Sequence, residues 1–267
     1  MDRRSIGRVA RVGCTPIKGC QHTSSDELVL DEDGPRGDRA WCLVPPEGGR
    51  VLRTIDQPRL VGVRARWDGH ALDVVLPGGA AATGAPEQAG ASLAVDYWGR
   101  TIDAVPYDGP HARLLSDFLG RPVRLARVAP GAAVYGAPVS LVSTASVVDA
   151  ATRAGRPDLA DQPERYRATV VVEADEPYIE DQWVGHDVAI GDAVVRVHGR
   201  MGRCGVVNLA PSTGDADASL LRSLADHRPQ NSRGEPLLAV DATVVAPGSV
   251  RWGDTLQLHN DSRRTAG

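Results

Sequence analysis

The feature that most constrains this chain is a succession of short, valine-rich runs, each cut off by glycine, proline or aspartate. IGRVARVGC, ELVLDEDG, RAWCLVPPEGG, LVGVRARWDG and ALDVVLPGG follow one another through residues 6–79. Runs of this length, alternating or wholly apolar and closed by turn residues, predict strands rather than helices. Their even punctuation predicts a small antiparallel sheet or barrel. With an aromatic share of only 4% and Phe118 as the sole phenylalanine, the core must come from Val, Leu, Ala and Ile. At 267 residues the chain suits one large domain or two modest ones.

The second half reads as mixed. HARLLSDFLG (111–120) has helical spacing and a glycine stop, and is expected to link the halves. Residues 140–157 read as a strand end, a Ser/Thr turn and a helix closing at Gly155, with Ser143 or Thr144 as N-cap. RYRATVVV (165–172), 186–199, 238–250 and 254–258 read as strands, and SLLRSLADHR (219–228) as a helix. Residues 79–92 read as a low-complexity surface loop.

A net charge of -4 argues against a nucleic-acid or membrane-surface binder held by bulk charge. The start lacks the apolar run of a signal peptide and no stretch reaches membrane-span length, so a soluble, cytoplasmic protein is expected. Cys14, Cys20, Cys42 and Cys204 form no CxxC pair and no zinc or iron–sulfur spacing. No coiled-coil pattern or long apolar stripe is visible, so a monomer is expected.

Three places can carry chemistry. Lys18, in TPIKGC, is the one lysine among 30 basic residues. A bias that put arginine everywhere else would have replaced a merely solvated lysine too. An ammonium is a compact point charge suited to an anion in tight space. Arg39, in GPRGDRAW, could converge on the same anion, although an Asp38–Arg39 surface turn is an equal reading. The second place is Ser143-Thr144-Ala145-Ser146, where a helix N-terminus offers N–H groups and hydroxyls to an anion. Arg165 and Arg167 alternate on the expected strand that follows and could point the same way, or simply be exposed. The third is GRMGRCGVVNLAPSTG (199–214), where Cys204 sits in a glycine-rich turn. Arg200 and Arg203 would favour its thiolate, the nucleophilic and metal-binding form. No His/Asp partner pattern supports acyl transfer, so metal ligation or sulfur chemistry fits better.

Taken in order, TPIKGC, GPRGDRAW, Pro58-Arg59-Leu60, VSTAS, RYRATVVV, PYIEDQW, IGDAVVRV, GRCGVVNLAPSTG and GSVRWGDTLQL resemble the MOSC proteins. MOSC is the domain shared by molybdenum cofactor sulfurases and the amidoxime-reducing enzymes. The resemblance implies a mainly β, α+β fold, a MOSC β-barrel preceded by a smaller β-rich N-terminal domain, divided as 1–105 and 106–267. It implies Cys204 as the protein ligand of molybdenum. It implies cofactor contacts from Lys18, Arg39, Ser143, Thr144, Ser146, Arg167, Thr169 and Arg203. The family pattern is departed from in three places: Gly19 stands for a serine, Ala168-Thr169 for Pro-Asn, and Ile55 for a basic or polar residue. The activity implied is a molybdenum-cofactor oxidoreductase reducing a small N-oxygenated substrate, with electrons from a separate donor protein. The alternatives are a sulfur carrier or transferase with a Cys204 persulfide, and a MOSC scaffold repurposed for a metal-free reaction or for binding an anionic metabolite. Acidic Glu180 and Asp181 are expected to pair with Arg165 or Arg167.

Overall fold

The first predicted strand pairs with its sequence neighbour only at its end, through Thr23–Ser25; its main role is to close a barrel built by the second half. The computed structural model describes residues 3–259. Strand Arg3–Cys14 pairs antiparallel with Val170–Glu173 along one edge and with Thr255–His259 along the other. From Val170–Glu173 the sheet runs through Val139–Ser143, Leu237–Ala246, Ala193–Gly202 and Asp187–Ile190 to Thr255–His259. These seven strands form a closed ring, which leaves no open edge along the barrel.

The valine runs explain why this closure is stable. Val170 and Val172 point into the barrel with Val9, Val12, Leu141, Val188, Val195, Val197 and Val240. Val171 and Val142 point outward into a second cluster with Val147, Ala150, Leu220 and Leu224. The three consecutive valines are thus buried on both faces, because helices cover the outside. Those helices are α2 (Thr144–Arg153) and α3 (Leu220–His227). Helix α2 is the crossover between Val139–Ser143 and Val170–Glu173, which run parallel.

The first half forms a sheet in the order Trp41–Val44, Arg124–Val128, Arg100–Asp108, Leu93–Tyr97, Gly49–Arg50. Alternation along Trp41–Val44 sends Trp41 and Leu43 to one core and Cys42 and Val44 to the other. Helix α1 (Pro110–Leu119) packs Ala112 and Leu115 on the first of these. Residue 105 therefore falls inside strand Arg100–Asp108, and α1 and Arg124–Val128 stay with the first sheet. Two further strands, Ala81–Ala82 and Glu87–Gln88, are picked out of the expected loop 79–92.

The expected strand over 165–172 is shorter than its sequence suggests. Residues Pro163–Tyr166 form a 3₁₀ turn, Arg167 is left-handed with φ 52°, and the strand begins at Val170. Two glycines let the halves meet closely. A Cβ on Gly214 would lie 2.0 Å from the Pro58 carbonyl oxygen, and one on Gly62 would lie 2.5 Å from that of Ser212. The loop leading away from Cys204 is thereby docked on the first half.

The chain's division into folding units can be tested directly. A fragment of residues 106–267 lacks strand Arg3–Cys14 and leaves two barrel edges unpaired. It is expected to show no cooperative thermal transition by circular dichroism, whereas the full chain does. A sharp transition in the fragment would show that the barrel does not need its first strand.

Candidate functional site

Between the two halves lies a cleft of about 160 Å³ that gathers residues from seven separate stretches of chain. Lys18, Arg39, Arg167, Arg203 and Cys204 all line it, beside Tyr97, Tyr135, Ser140 and Tyr166. A backbone zipper positions the first two. Arg39 N–H donates to the Thr15 carbonyl (2.7 Å), Trp41 N–H to that of Pro16 (3.0 Å), and Lys18 N–H to that of Trp41 (2.7 Å). Asp38, only 7% exposed, accepts from Thr15 N–H at 2.7 Å and from the Arg39 guanidinium. The surface-turn reading of Asp38–Arg39 is therefore replaced by a buried ion pair.

Arg167 reaches the same space from the second half and donates to the Thr15 hydroxyl at 3.1 Å. That hydroxyl also contacts His22 Nδ1 at 3.2 Å. Burial and the neighbouring arginines push His22 down to about 3, so its ring is neutral. Arg203 is buried and donates to the carbonyls of Leu238 (2.7 Å) and Tyr166 (2.8 Å). Among the described residues, no carboxylate forms an ion pair with Lys18, Arg167 or Arg203. Burial lowers Arg167 and Arg203 to about 10, which still leaves both charged at neutral pH. Lys18 and Arg167, partly buried, and Arg203, buried, thus form a cluster of cations without a carboxylate partner, an arrangement suited to an anion. Two of the arginines are also held in left-handed backbone, Arg39 at φ 46° and Arg167 at φ 52°. Such conformations cost on the order of 1 kcal/mol each and persist where packing enforces them.

Cys204 is exposed, whereas Cys20 and Cys42 are buried. Burial raises the Cys14, Cys20 and Cys42 thiols to about 12. Cys204 is thus the thiol presented to a ligand in the cleft. Of the two arginines expected to attend it, Arg203 lines the cleft, while Arg200 faces Asp181 at 3.9 Å.

The remaining expected contacts sit elsewhere. Ser143 and Ser146 are fully buried and are not among the cleft-lining residues. Ser146 N–H donates to the Ser143 oxygen at 3.1 Å, which caps α2, and the Ser146 oxygen accepts from Tyr178 N–H at 2.6 Å. The Thr144 hydroxyl lies 3.4 Å from the Ala174 carbonyl. The α2 N-terminus is covered by the 174–180 segment, so its hydroxyls are consumed internally. Thr169 exchanges hydrogen bonds with Ser140, both at 3.1 Å. Arg165 borders the cleft but forms a two-pronged pair with Asp217, both contacts 2.7 Å. Asp181 pairs with Arg228 at 2.6 Å, not with Arg165 or Arg167, while Glu180 is buried where desolvation raises its pKa. Sequence reasoning missed Tyr97, Thr15 and His22; nothing local marks them, because their roles exist only once the halves meet.

A larger cavity, about 490 Å³, opens at the barrel beside Glu173, Asp175 and Glu176, but no cysteine or cationic side chain lines it. The chemistry points to the smaller cleft. Among the described residues, no three His, Cys, Asp or Glu side chains gather to hold a metal ion. A metal placed here would arrive within an anionic cofactor and take a single thiolate. The residues fit such a group: four cationic side chains for its anionic end and an accessible sulfur. No helix among the described residues is long and apolar enough to cross a membrane.

A β-barrel that completes an arginine-lined cleft with one accessible thiol defines the class. The chain belongs to the MOSC family: residues 6–122 match the model of the MOSC N-terminal beta barrel domain, and residues 119–257 that of the MOSC domain. It is 26% identical over 277 residues to a molybdenum cofactor sulfurase of Danio rerio, covering 86% of this chain and 33% of that protein. It is 25% identical over 248 residues to a molybdenum cofactor sulfurase of Oryza sativa subsp. japonica, covering 80% and 30% respectively. The chain thus spans about a third of the length of these relatives. The crystal structure of the YuaD protein of Bacillus subtilis superposes with a TM-score of 0.47 at 14% identity, covering 97% of this chain and 98% of that one. The family is related to the molybdenum cofactor.

Lys18 reports the charge state of the cleft. Burial first, then the Arg39 and Arg167 guanidinium groups, lower its pKa from 10.5 to about 7. Between those values the folded protein holds fewer protons than the unfolded chain, so stability rises with pH there. The cost of the confined ammonium is greatest below its folded pKa and fades as pH approaches the unfolded one. Lys18→Met is expected to raise the melting temperature at about pH 6 and to change it little near pH 10. Differential scanning fluorimetry at both pH values checks this; an equal gain at each would show that the charge is not the source.

Proposed function

We propose that the cleft binds the molybdenum cofactor and that the protein is an oxidoreductase reducing a small N-oxygenated substrate, such as a hydroxylamine, an amidoxime or an N-hydroxylated base. The observation that carries this reading is the convergence of Lys18, Arg39, Arg167 and Arg203 with the accessible Cys204 thiol in one cleft. When bound, the cofactor would supply two-electron redox chemistry at a metal centre. Cys204 would hold the metal through its thiolate. The cations would hold the cofactor's phosphate, whose multiple negative charge needs several donors. Lys18 serves there as a point charge, where a planar guanidinium would compete for space with Arg39 and Arg167.

The reaction balances as follows: the N–O bond of an N-hydroxylated substrate breaks, two electrons and two protons are taken up, and an amine and water leave. A separate electron-donor protein supplies the electrons. At about 160 Å³ the cleft encloses less than an ordinary small-molecule site.

A second reading is sulfur transfer through a Cys204 persulfide, favoured by the exposure of this thiol and by the sulfurase name of the relatives. Metal and pterin analysis of wild type and Cys204→Ala, both from a host that makes the cofactor, separates the readings. Near-stoichiometric molybdenum and pterin are expected in the wild type. The variant is expected to keep pterin, to lose most of its metal-dependent reductase activity, at least about a hundredfold, and to change its metal spectrum. Wild-type protein free of both, carrying instead a persulfide on Cys204, would overturn the oxidoreductase reading in favour of sulfur transfer.

A further inference from the structure

The mouth of the cleft carries aromatic and apolar side chains that folding does not explain. Among the described residues, the exposed large hydrophobic side chains include Ile55 (49%), Trp98 (50%) and Tyr135 (42%). Trp98 and Tyr135 meet there, and Ile55 lies beside the residue that follows Cys204. Tyr135 lines the cleft itself. Ile55 Cδ1 lies 3.1 Å from where a Cβ on Gly205 would stand, directly after Cys204. Trp98 faces Tyr135, with ring centroids 5.3 Å apart and planes inclined at 56°. It also lines an adjoining cavity of about 210 Å³ with Arg50, Arg53 and Tyr97, and Tyr97 is the wall shared with the cleft.

The backbone places Trp98 there at a cost. Strands Leu93–Tyr97 and Arg100–Asp108 pair Tyr97 with Arg100, which leaves Trp98-Gly99 as a two-residue hairpin loop. Both loop residues are left-handed, with φ 55° and 80°. A loop of this kind takes Asn, Asp or Gly at its first position, and a bulky aromatic there is a genuine outlier. Asn would ease the turn, so the indole is retained for something the turn itself does not need.

The charges nearby say what the rings leave free. Arg53 lies 5.4 Å from the Trp98 ring centroid and Arg233 lies 5.1 Å from that of Tyr135. Both guanidinium groups are already neutralised, Arg53 by Asp56 (2.7 Å) and Arg233 by Glu235 (3.2 Å). They brace the rings rather than call for an anion, whereas the uncompensated cations lie deeper, beside Cys204. The mouth therefore suits a flat, uncharged ring system.

We propose that Trp98 and Tyr135, with Ile55 beside them, form a stacking gate that selects substrates whose N-oxygenated group is attached to a planar aromatic or heteroaromatic ring. This deepens the reductase reading and rests on it for the identity of the reacting group. The ring would stack on the exposed surface of this aromatic pair at the mouth while its N–O end points inward toward Cys204. A stack of this kind contributes to substrate binding more than to the chemical step, so its loss is read mainly in KM. A second planar system could come from the cofactor's own pterin, and the experiment separates the two sources.

The test uses the full chain as purified with cofactor, as wild type, Trp98→Asn, Tyr135→Ala and Ile55→Ala, with far-UV circular dichroism to confirm folding. Trp98→Asn keeps a residue suited to the turn, so it removes the ring without breaking the hairpin. Benzamidoxime is the planar probe and hydroxylamine the ringless one, and calorimetry with benzamide, a neutral planar analogue without an N–O bond, reads binding without turnover. Each of the first two variants is expected to raise KM for benzamidoxime and weaken benzamide binding about tenfold, with hydroxylamine kinetics and pterin content unchanged. Unchanged benzamide binding in both variants would overturn the gate. Loss of pterin from Trp98→Asn or Tyr135→Ala would also overturn it, by assigning the rings to the cofactor. Ring-dependent binding of benzamide with no turnover of either probe would leave the stacking intact and sink the reductase reading alone.

Discussion

The site hangs on a few backbone hydrogen bonds between Thr15–Lys18 and Arg39–Trp41. They are the point where the barrel's first strand, having been paired on both edges, crosses into the other half of the molecule. Without that zipper Lys18 and Arg39 would be two unrelated loop cations. With it, their separation is set by peptide geometry, and the buried Asp38 carboxylate clamps the register by gripping Thr15 N–H and the Arg39 side chain together. The same Thr15 then receives Arg167 from the far side of the cleft. One residue thus ties three segments whose cations would otherwise repel one another.

That repulsion is the physical theme of the cleft. Cations packed in a partly desolvated space raise the energy of the fold, and the lowered pKa of Lys18 is one measure of it. Left-handed backbone at Arg39, Arg167 and Trp98 adds local strain in the same region. The closed, valine-lined barrel supplies the rigidity that holds these groups in place. An anionic ligand would relieve the charge term directly, which is why a cofactor with a phosphate suits the site better than a neutral metabolite does.

Much of the architecture was legible because its causes are local. Turn residues at fixed spacing mark strand ends, and the helices α1, α2 and α3 fall within a residue or two of the sequence expectation. Hydroxyl chemistry narrowed the N-cap of α2 to Ser143 or Thr144, and the fold uses Ser143. Lys18 and Cys204 stood out through composition and setting, and the cleft brings them together. The hydroxyl cluster at 143–146 was misplaced for an equally physical reason. A helix N-terminus with free hydroxyls looks like an anion site from sequence, but the 174–180 segment packs over it and takes up the Ser146 oxygen. Arg165 and Arg167 looked like strand neighbours because the valine run invites extension backwards, whereas Pro163 starts a 3₁₀ turn that separates their roles.

Composition and turn spacing were enough to say that this chain is built from short β-strands with a largely aliphatic core. They also singled out one lysine and one cysteine as candidates for a site, because both signals lie in composition and near-neighbour pattern. That the first strand completes the second half's barrel emerged only on folding, since strand pairing over such distances leaves no local trace. Folding likewise decided that Asp38 is buried, that α2's cap faces inward, and that Trp98 and Tyr135 meet at the mouth of the cleft. Those facts depend on which surfaces exclude water from each other, and that is a property of the packed chain, not of any stretch of it.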